Sequence, residues 1–67
     1  MDTKDYVFQY IEEYLEEKRY PPTRREIAEA LDISVSTVQY HVKALVLDGL
    51  IAVVPKISRG ITINESS

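Results

Sequence analysis

The chain has 67 residues, no cysteine, one histidine and a net charge of -3 at pH 7. This length allows one domain with a small core, and the composition excludes disulfides, thiolate metal sites and a histidine-rich zinc centre. No apolar run approaches the roughly 20 residues of a membrane span, and the N-terminus lacks a secretion signal, so we expect a cytoplasmic protein without a membrane segment.

The charge is distributed unevenly along the chain. Residues 1–17 carry a net charge of -5, whereas residues 18–67 carry +2. Neutralising phosphates is the main source of affinity for duplex DNA, so the overall charge alone argues against nucleic acid. The uneven distribution nevertheless predicts a modest basic face and a separate acidic face.

The first predicted element is a helix from a cap at Asp2 or Thr3 to about Lys18, ended by Pro21 and Pro22. Its apolar arc is wider than one core contact needs because of a tyrosine stripe. The stripe consists of Tyr6, Tyr10 and Tyr14. Two interpretations remain open: the rings flank the core with their hydroxyls in water, or they form a dimer interface.

The second predicted helix begins at Thr23, which forms a Thr-x-x-Glu capping box with Glu26. Its inward face contains Ile27, Ala28 and Leu31, and Asp32 and Ile33 make a tight turn. The third helix covers about residues 35–48, is capped by Ser34 or Ser36, and ends before Gly49, a suitable left-handed C-cap. Its inward residues are Val38, Val42 and Leu45.

A small hairpin is predicted after the third helix. Leu50 to Val54 and Ile61 to Ile63 form two strands, and the loop Pro55 to Gly60 projects outward with Lys56 and Arg59 at its tip. The predicted fold is therefore mostly α with a small β hairpin, a three-helix winged helix-turn-helix. We expect residues 1–64 to form this domain and residues 65–67 a disordered tail.

The exposed face of the third helix is the candidate DNA reader. With its valines and leucine buried, the opposite face and its edges carry Ser36, Thr37, Gln39, Tyr40, Lys43, Ala44 and Leu47. Gln39 suits adenine edges, Ser36 and Thr37 suit several bases, and Tyr40 suits a thymine methyl or a phosphate. The alternative is an ordinary solvated helix face.

Basic side chains are predicted to contact the DNA backbone. Arg24 and Arg25 begin the second helix, Lys43 lies on the third, and Lys56 and Arg59 occupy the wing, where they suit a phosphate or the minor groove. Thr23 and Ser58 complete this predicted set. The alternatives are a helical pair between Arg25 and Glu29, a solvated Lys43, and a loop tip that touches nothing.

No catalytic, metal or cofactor site is predicted. His41 lies at the border of the buried arc without partners for a triad, which favours a packing role. Adjacent carboxylates diverge by about 100° on a helix, so those of the first helix predict a solvated acidic face. They are Glu12, Glu13, Glu16 and Glu17.

Four segments together resemble the N-terminal DNA-binding domain of LexA-type SOS repressors. They are Pro21-Pro22-Thr23-Arg24-x-Glu26-Ile27-Ala28, His41-Val42-Lys43-Ala44-Leu45, Gly49-Leu50-Ile51 and Ser58-Arg59-Gly60-Ile61. The resemblance covers nearly the whole chain and implies a repressor that binds a palindromic operator in double-stranded DNA as a homodimer. It also implies base contacts from Ser34, Ser36, Thr37, Gln39 and Tyr40.

The chain departs from the family pattern in two ways. The segment between Leu31 and His41 is one residue shorter than is typical, which predicts a different operator, and the self-cleaving C-terminal half of the family is not matched. A fragment of a longer protein and a stand-alone regulator both remain open. The alternative function is a winged-helix protein-interaction module that uses the acidic, tyrosine-rich first helix.

Overall fold

The first helix, α1, covers Thr3–Lys18 in a computed structural model that describes residues 2–57 and 59–64. It begins as predicted after Asp2, whose backbone N–H donates to the Asp5 carboxylate at 3.2 Å. Arg19 ends the helix in the left-handed region (φ 70°), and its N–H donates to the Leu15 carbonyl at 2.9 Å.

The second helix, α2, covers Arg24–Leu31, and its predicted capping box is confirmed. The Glu26 N–H donates to Thr23 Oγ1 at 3.1 Å, and the Thr23 N–H donates to Glu26 Oε1 at 2.8 Å. Asp32 closes α2 at φ 56°, a conformation that a short polar side chain tolerates. The Ile33 N–H then donates to the Ala28 carbonyl at 3.0 Å, which completes the predicted tight turn.

The third helix, α3, covers Val35–Leu47 and follows immediately. Ser34, one of the two predicted caps, accepts the Thr37 N–H at 3.1 Å. Gly49 adopts φ 78° after the helix, as predicted, and donates to the Val46 carbonyl, while Leu50 donates to the Leu45 carbonyl. These two bonds form a Schellman motif, which turns the chain into the wing.

The wing consists of strands β1 (Ile51–Val53) and β2 (Ile61–Ile63), paired antiparallel. Ile51 lies opposite Ile63, and Val53 lies opposite Ile61. The first strand is shorter than predicted, because Leu50 belongs to the helix-ending turn and Val54 makes one last bond to the Gly60 carbonyl at 2.8 Å. The predicted tail at residues 65–67 lies outside the described residues.

Every element contributes to one core. The buried apolar residues are Val7 and Ile11 from α1, Ile27 and Ala28 from α2, Val38, Val42 and Leu45 from α3, and Ile51 and Ile61 from the wing. Leu31, predicted to point inward, is only partly buried against them. The winged helix-turn-helix prediction is confirmed. None of the helices in the described residues is both long and apolar enough to cross a membrane.

Candidate nucleic-acid interface

The exposed face of α3 lies where the sequence predicts it, except that Ala44 is half-buried. Ser36, Tyr40, Lys43 and Leu47 follow one another along this face, and all four are exposed. Tyr40 keeps 71% of its surface in solvent and Leu47 keeps 87%. The valines and the leucine at the inward positions are buried, so one side of the helix packs against the core and the other side faces solvent.

The first turn of α3 combines a fixed cap with exposed polar side chains. The Ser34 and Thr37 hydroxyls lie 2.8 Å apart and hydrogen-bond to each other, with Ser34 exposed and Thr37 half-buried. Ser36, Gln39 and Tyr40 are exposed beside them. This turn is therefore hydrogen-bonded at its cap, and the side chains predicted to read bases are exposed beside it.

A groove brings three of the predicted contact residues together. Arg24 from the start of α2 and Gln39 and Lys43 from α3 lie around it. Its volume is about 490 Å³, and its remaining lining residues are Val42, Val46, Leu47 and Val53. These apolar lining residues were not predicted from the sequence. Leu47 lies four residues after Lys43 on the exposed arc of α3, and an apolar residue at that position was the signal that could have indicated them.

Arg25 lies on the other side of the α2 start. It is exposed beside a shallow depression that is also lined by Glu29, Ser34 and Val35. Within residues 2–57 and 59–64, no ion pair of 4 Å or less joins Arg25 to Glu29. The Arg25 guanidinium is consequently available on the surface next to the cap of α3.

The wing differs from the prediction in the position of Arg59. Lys56 is exposed at the turn, with φ 68°, as expected for the loop tip. Arg59 instead folds back onto the body, where it forms a bidentate ion pair with Glu26, Nη1 to Oε1 at 2.8 Å and Nη2 to Oε2 at 3.1 Å. The prediction that Arg59 projects outward is wrong, because a carboxylate fixed by the α2 cap lies within its reach. Ser58 lies outside the described residues.

Glu26 is the electrostatic centre of this contact. Its ion pair with Arg59, reinforced by the Thr23 N–H, lowers the pKa of the Glu26 carboxyl from 4.5 to about 2. The carboxylate in turn raises the pKa of Arg59 above its ordinary value. Both groups therefore remain charged through the physiological range.

The tyrosine stripe is only partly exposed. Tyr6 keeps 49% of its surface in solvent, whereas Tyr10 and Tyr14 are half-buried with ring centres 5.8 Å apart. Tyr14 also packs edge-on against Tyr20 at 5.8 Å, and its hydroxyl donates to Glu26 at 3.2 Å. Burial raises the pKa of both Tyr10 and Tyr14. Two of the three rings thus have a role inside their own chain.

The other residues singled out by sequence lie in ordinary surroundings. His41 is half-buried and meets the Tyr40 ring edge-on at 5.3 Å. The four glutamates of α1, Glu12, Glu13, Glu16 and Glu17, are all exposed. These positions are consistent with the packing role and the solvated acidic face that the sequence favours.

Comparison with known proteins identifies similar sequences over almost the whole chain. Residues 2–60 match the family model described as the LexA DNA binding domain. The LexA repressor of Cellvibrio japonicus (strain Ueda107) is 45% identical over 64 residues, which cover 94% of this chain and 32% of that protein. The LexA repressor of Hahella chejuensis (strain KCTC 2396) is 44% identical with the same coverage. That of Clostridium tetani (strain Massachusetts / E88) is 42% identical over 62 residues, 91% of this chain and 31% of that protein. The chain thus spans about a third of the length of these relatives.

Proposed function

Because the chain belongs to the LexA DNA-binding domain family, we propose that it is a transcriptional repressor that binds double-stranded DNA sequence-specifically. The observation that carries the proposal is the grouping of Arg24, Gln39 and Lys43 around one groove beside the exposed first turn of α3. This arrangement groups a hydrogen-bonding side chain with two cations, which supports a surface that both holds a duplex and reads it.

In the proposed complex α3 lies in the major groove with its N-terminal turn against the bases. Gln39 and Ser36, both exposed there, read base edges, and each good base contact contributes about 1–3 kcal/mol. Tyr40 lies on a thymine methyl or a phosphate. Ser34 and Thr37 take part through hydroxyls that already fix the helix cap.

The proposed backbone contacts surround this reader. Arg24 and Lys43 border the groove, Arg25 flanks the α3 cap, and Lys56 lies at the wing tip. Thr23, at the cap of α2, is proposed to contact the same phosphates. These contacts fix the register on the duplex without reading sequence.

The repressor acts by binding, and we propose no reaction for residues 1–64, which form its DNA-binding domain. Two copies occupy a palindromic operator in the cytoplasm, with half-sites about one helical turn apart. The alternative, a protein-interaction module built on the tyrosines of α1, receives no support, because Tyr10 and Tyr14 are half-buried in their own chain.

Selection of bound sequences from random duplex DNA, followed by titration of variants, tests the proposal. We expect Gln39→Ala and Tyr40→Ala to relax the selected consensus, because each removes a side chain that contacts a base. Each variant should lose about tenfold of the preference for one base over the others at one position of the operator. Arg24→Ala weakens all sequences alike, because it removes a phosphate contact. Gln9→Ala, an exposed glutamine on α1, is the matched control and leaves both properties unchanged. An unaltered consensus in both reader variants rejects α3 as the reader.

A further inference from the structure

Arg59 connects the wing to two other parts of the fold. Besides the bidentate pair with Glu26, its Nη1 donates to the Pro21 carbonyl at 3.0 Å and lies 3.4 Å from the Tyr14 hydroxyl. Its guanidinium also lies over the Tyr20 ring, 4.7 Å from the ring centre. One side chain thereby joins the wing to the end of α1 and to the first turn of α2.

The partners of Arg59 are themselves fixed. Glu26 is held by the α2 capping box, and Tyr14 packs between Tyr10 and Tyr20. An arginine that forms a bidentate pair with a carboxylate has a defined position and orientation, unlike a lysine at a single contact. The wing therefore has an anchor on the body that is independent of its two short strands.

The wing is a short hairpin whose strands have three residues each, and the buried side chains of Ile51 and Ile61 hold these strands to the body. Arg59 adds a second contact with the body, from the loop before β2. Lys56 lies three residues before Arg59, and the Gly60 N–H donates to the Ile57 carbonyl at 3.2 Å, which closes a turn that begins directly after Lys56. Fixing Arg59 therefore restrains the loop that carries Lys56.

We propose that Arg59 is a positioning residue that clamps the wing onto the first turn of α2, so that Lys56 meets the DNA backbone. Arg59 itself makes no phosphate contact. This inference rests on the proposed DNA-binding function and revises the sequence expectation that both wing cations touch DNA. A phosphate that draws Arg59 away from Glu26 leaves an unpaired carboxylate, an unfavourable exchange.

The direction in which Glu26→Gln changes the affinity for DNA distinguishes a clamping role of Arg59 from a direct phosphate contact. Removal of one acid from a DNA-binding protein raises its affinity by electrostatics alone. Loss of the clamp lowers the affinity, because Lys56 is no longer held in place. Glutamine also serves at this position of a capping box, so the start of α2 is retained. Glu29→Gln, which removes an exposed acid from the same helix, is the matched control.

The titration uses the selected operator at low ionic strength, and circular dichroism first establishes that each variant is folded at that temperature. We expect Glu26→Gln to bind about three- to tenfold more weakly than the wild type, the loss that one phosphate contact supplies, and Glu29→Gln to bind equally or more tightly. Arg59→Lys keeps the charge but not the bidentate pair, and should also bind more weakly. Tighter binding by Glu26→Gln, or unchanged binding by Arg59→Lys, overturns the clamp.

A double-mutant cycle gives the second readout. If Arg59 acts through Lys56, then Lys56→Ala weakens the wild type but has no further effect in the Arg59→Gln protein. Additive losses overturn the inference, because they assign separate contacts to the two residues. A wild-type chain that shows no salt-dependent binding to duplex DNA rejects the proposed function itself, an outcome distinct from either failure of the clamp.

Discussion

Glu26 serves three parts of the fold with one carboxylate. It accepts the Thr23 N–H at the cap of α2, the Arg59 guanidinium from the wing and the Tyr14 hydroxyl from α1. The side chain keeps 33% of its surface accessible, so these bonds hold a half-buried charge that solvent only partly screens. Neutralising this residue therefore affects more of the structure than neutralising an exposed acid.

The lowered pKa of Glu26 predicts a contribution to stability that depends on pH. Its pKa is about 2 in the folded chain, below the ordinary value of 4.5. The contribution is therefore fully present above pH 4.5 and is lost as the pH falls from 4.5 towards 2, because the unfolded chain takes up the proton first. Chemical denaturation at several pH values measures the difference in unfolding free energy between the wild type and Glu26→Gln.

We expect this difference to shrink steadily below pH 4.5. Glu12→Gln, an exposed acid of α1, is the control for general acid effects. A difference between wild type and Glu26→Gln that stays constant from pH 6 down to pH 2 contradicts the proposed source of the stability.

At the scale of elements, the ends of the helices were predictable because their signals are local. Thr23 and Glu26 are three residues apart, and Ser34 lies directly before its helix, so the caps of α2 and α3 follow from short-range patterns. Gly49 likewise marks the end of α3. The exposed face of α3 followed from helical rotation once its inward residues were assigned.

The position of the wing was not predictable by the same reasoning. Arg59 and Glu26 are 33 residues apart, and no periodic pattern indicates that an arginine after a proline-containing loop folds back onto a helix cap. The groove between α3 and β1 was also missed, because it depends on how two elements pack. Local sequence therefore specified the candidate reader, whereas long-range packing determined which cations surround it.

Glycine is required at two positions of the chain for different structural reasons, and substitutions can distinguish them. Gly49 adopts φ 78° with nothing within 4 Å of an added Cβ, so Gly49→Ala costs the left-handed strain of about 1–2 kcal/mol. A Cβ on Gly60 would lie 2.5 Å from the Val54 carbonyl oxygen, so Gly60→Ala costs about 1–3 kcal/mol by overpacking.

Asparagine at each position is the decisive comparison, measured by chemical denaturation. Asparagine tolerates the left-handed region, so Gly49→Asn should recover most of the loss seen with alanine. Gly60→Asn should recover none, because its Cβ meets the same carbonyl oxygen. Equal behaviour of the two asparagine variants contradicts the distinction between conformational and steric requirements.

At the scale of the whole molecule, affinity for DNA depends on few cations. Four basic side chains remain in the proposed interface once Arg59 is assigned to the clamp: Arg24, Arg25, Lys43 and Lys56. The chain as a whole carries a net charge of -3, with the excess acid in residues 1–17. We therefore expect one copy to bind weakly, and two copies on linked half-sites to supply the affinity that a single domain lacks.

These four cations predict the salt dependence of binding. Each neutralised phosphate contributes about -0.9 to the slope of log K against log salt concentration, so one copy on a half-site gives about -3.6 and two copies on a full operator about -7. Fluorescence anisotropy titrations between low and moderate salt measure both slopes. Lys43→Ala should make the half-site slope shallower by about 0.9.

The acidic face of α1 provides the matched control for this prediction. Glu12→Gln and Glu13→Gln remove exposed acids and should leave the slope unchanged, because counterion release depends on the cations at the phosphates and not on acids elsewhere. A slope near zero in the wild type contradicts a phosphate-based interface. In the Lys56→Ala background, Arg59→Gln should leave the slope unchanged. If it makes the slope shallower by about a further 0.9, Arg59 is itself a phosphate contact, and the number of interface cations rises to five.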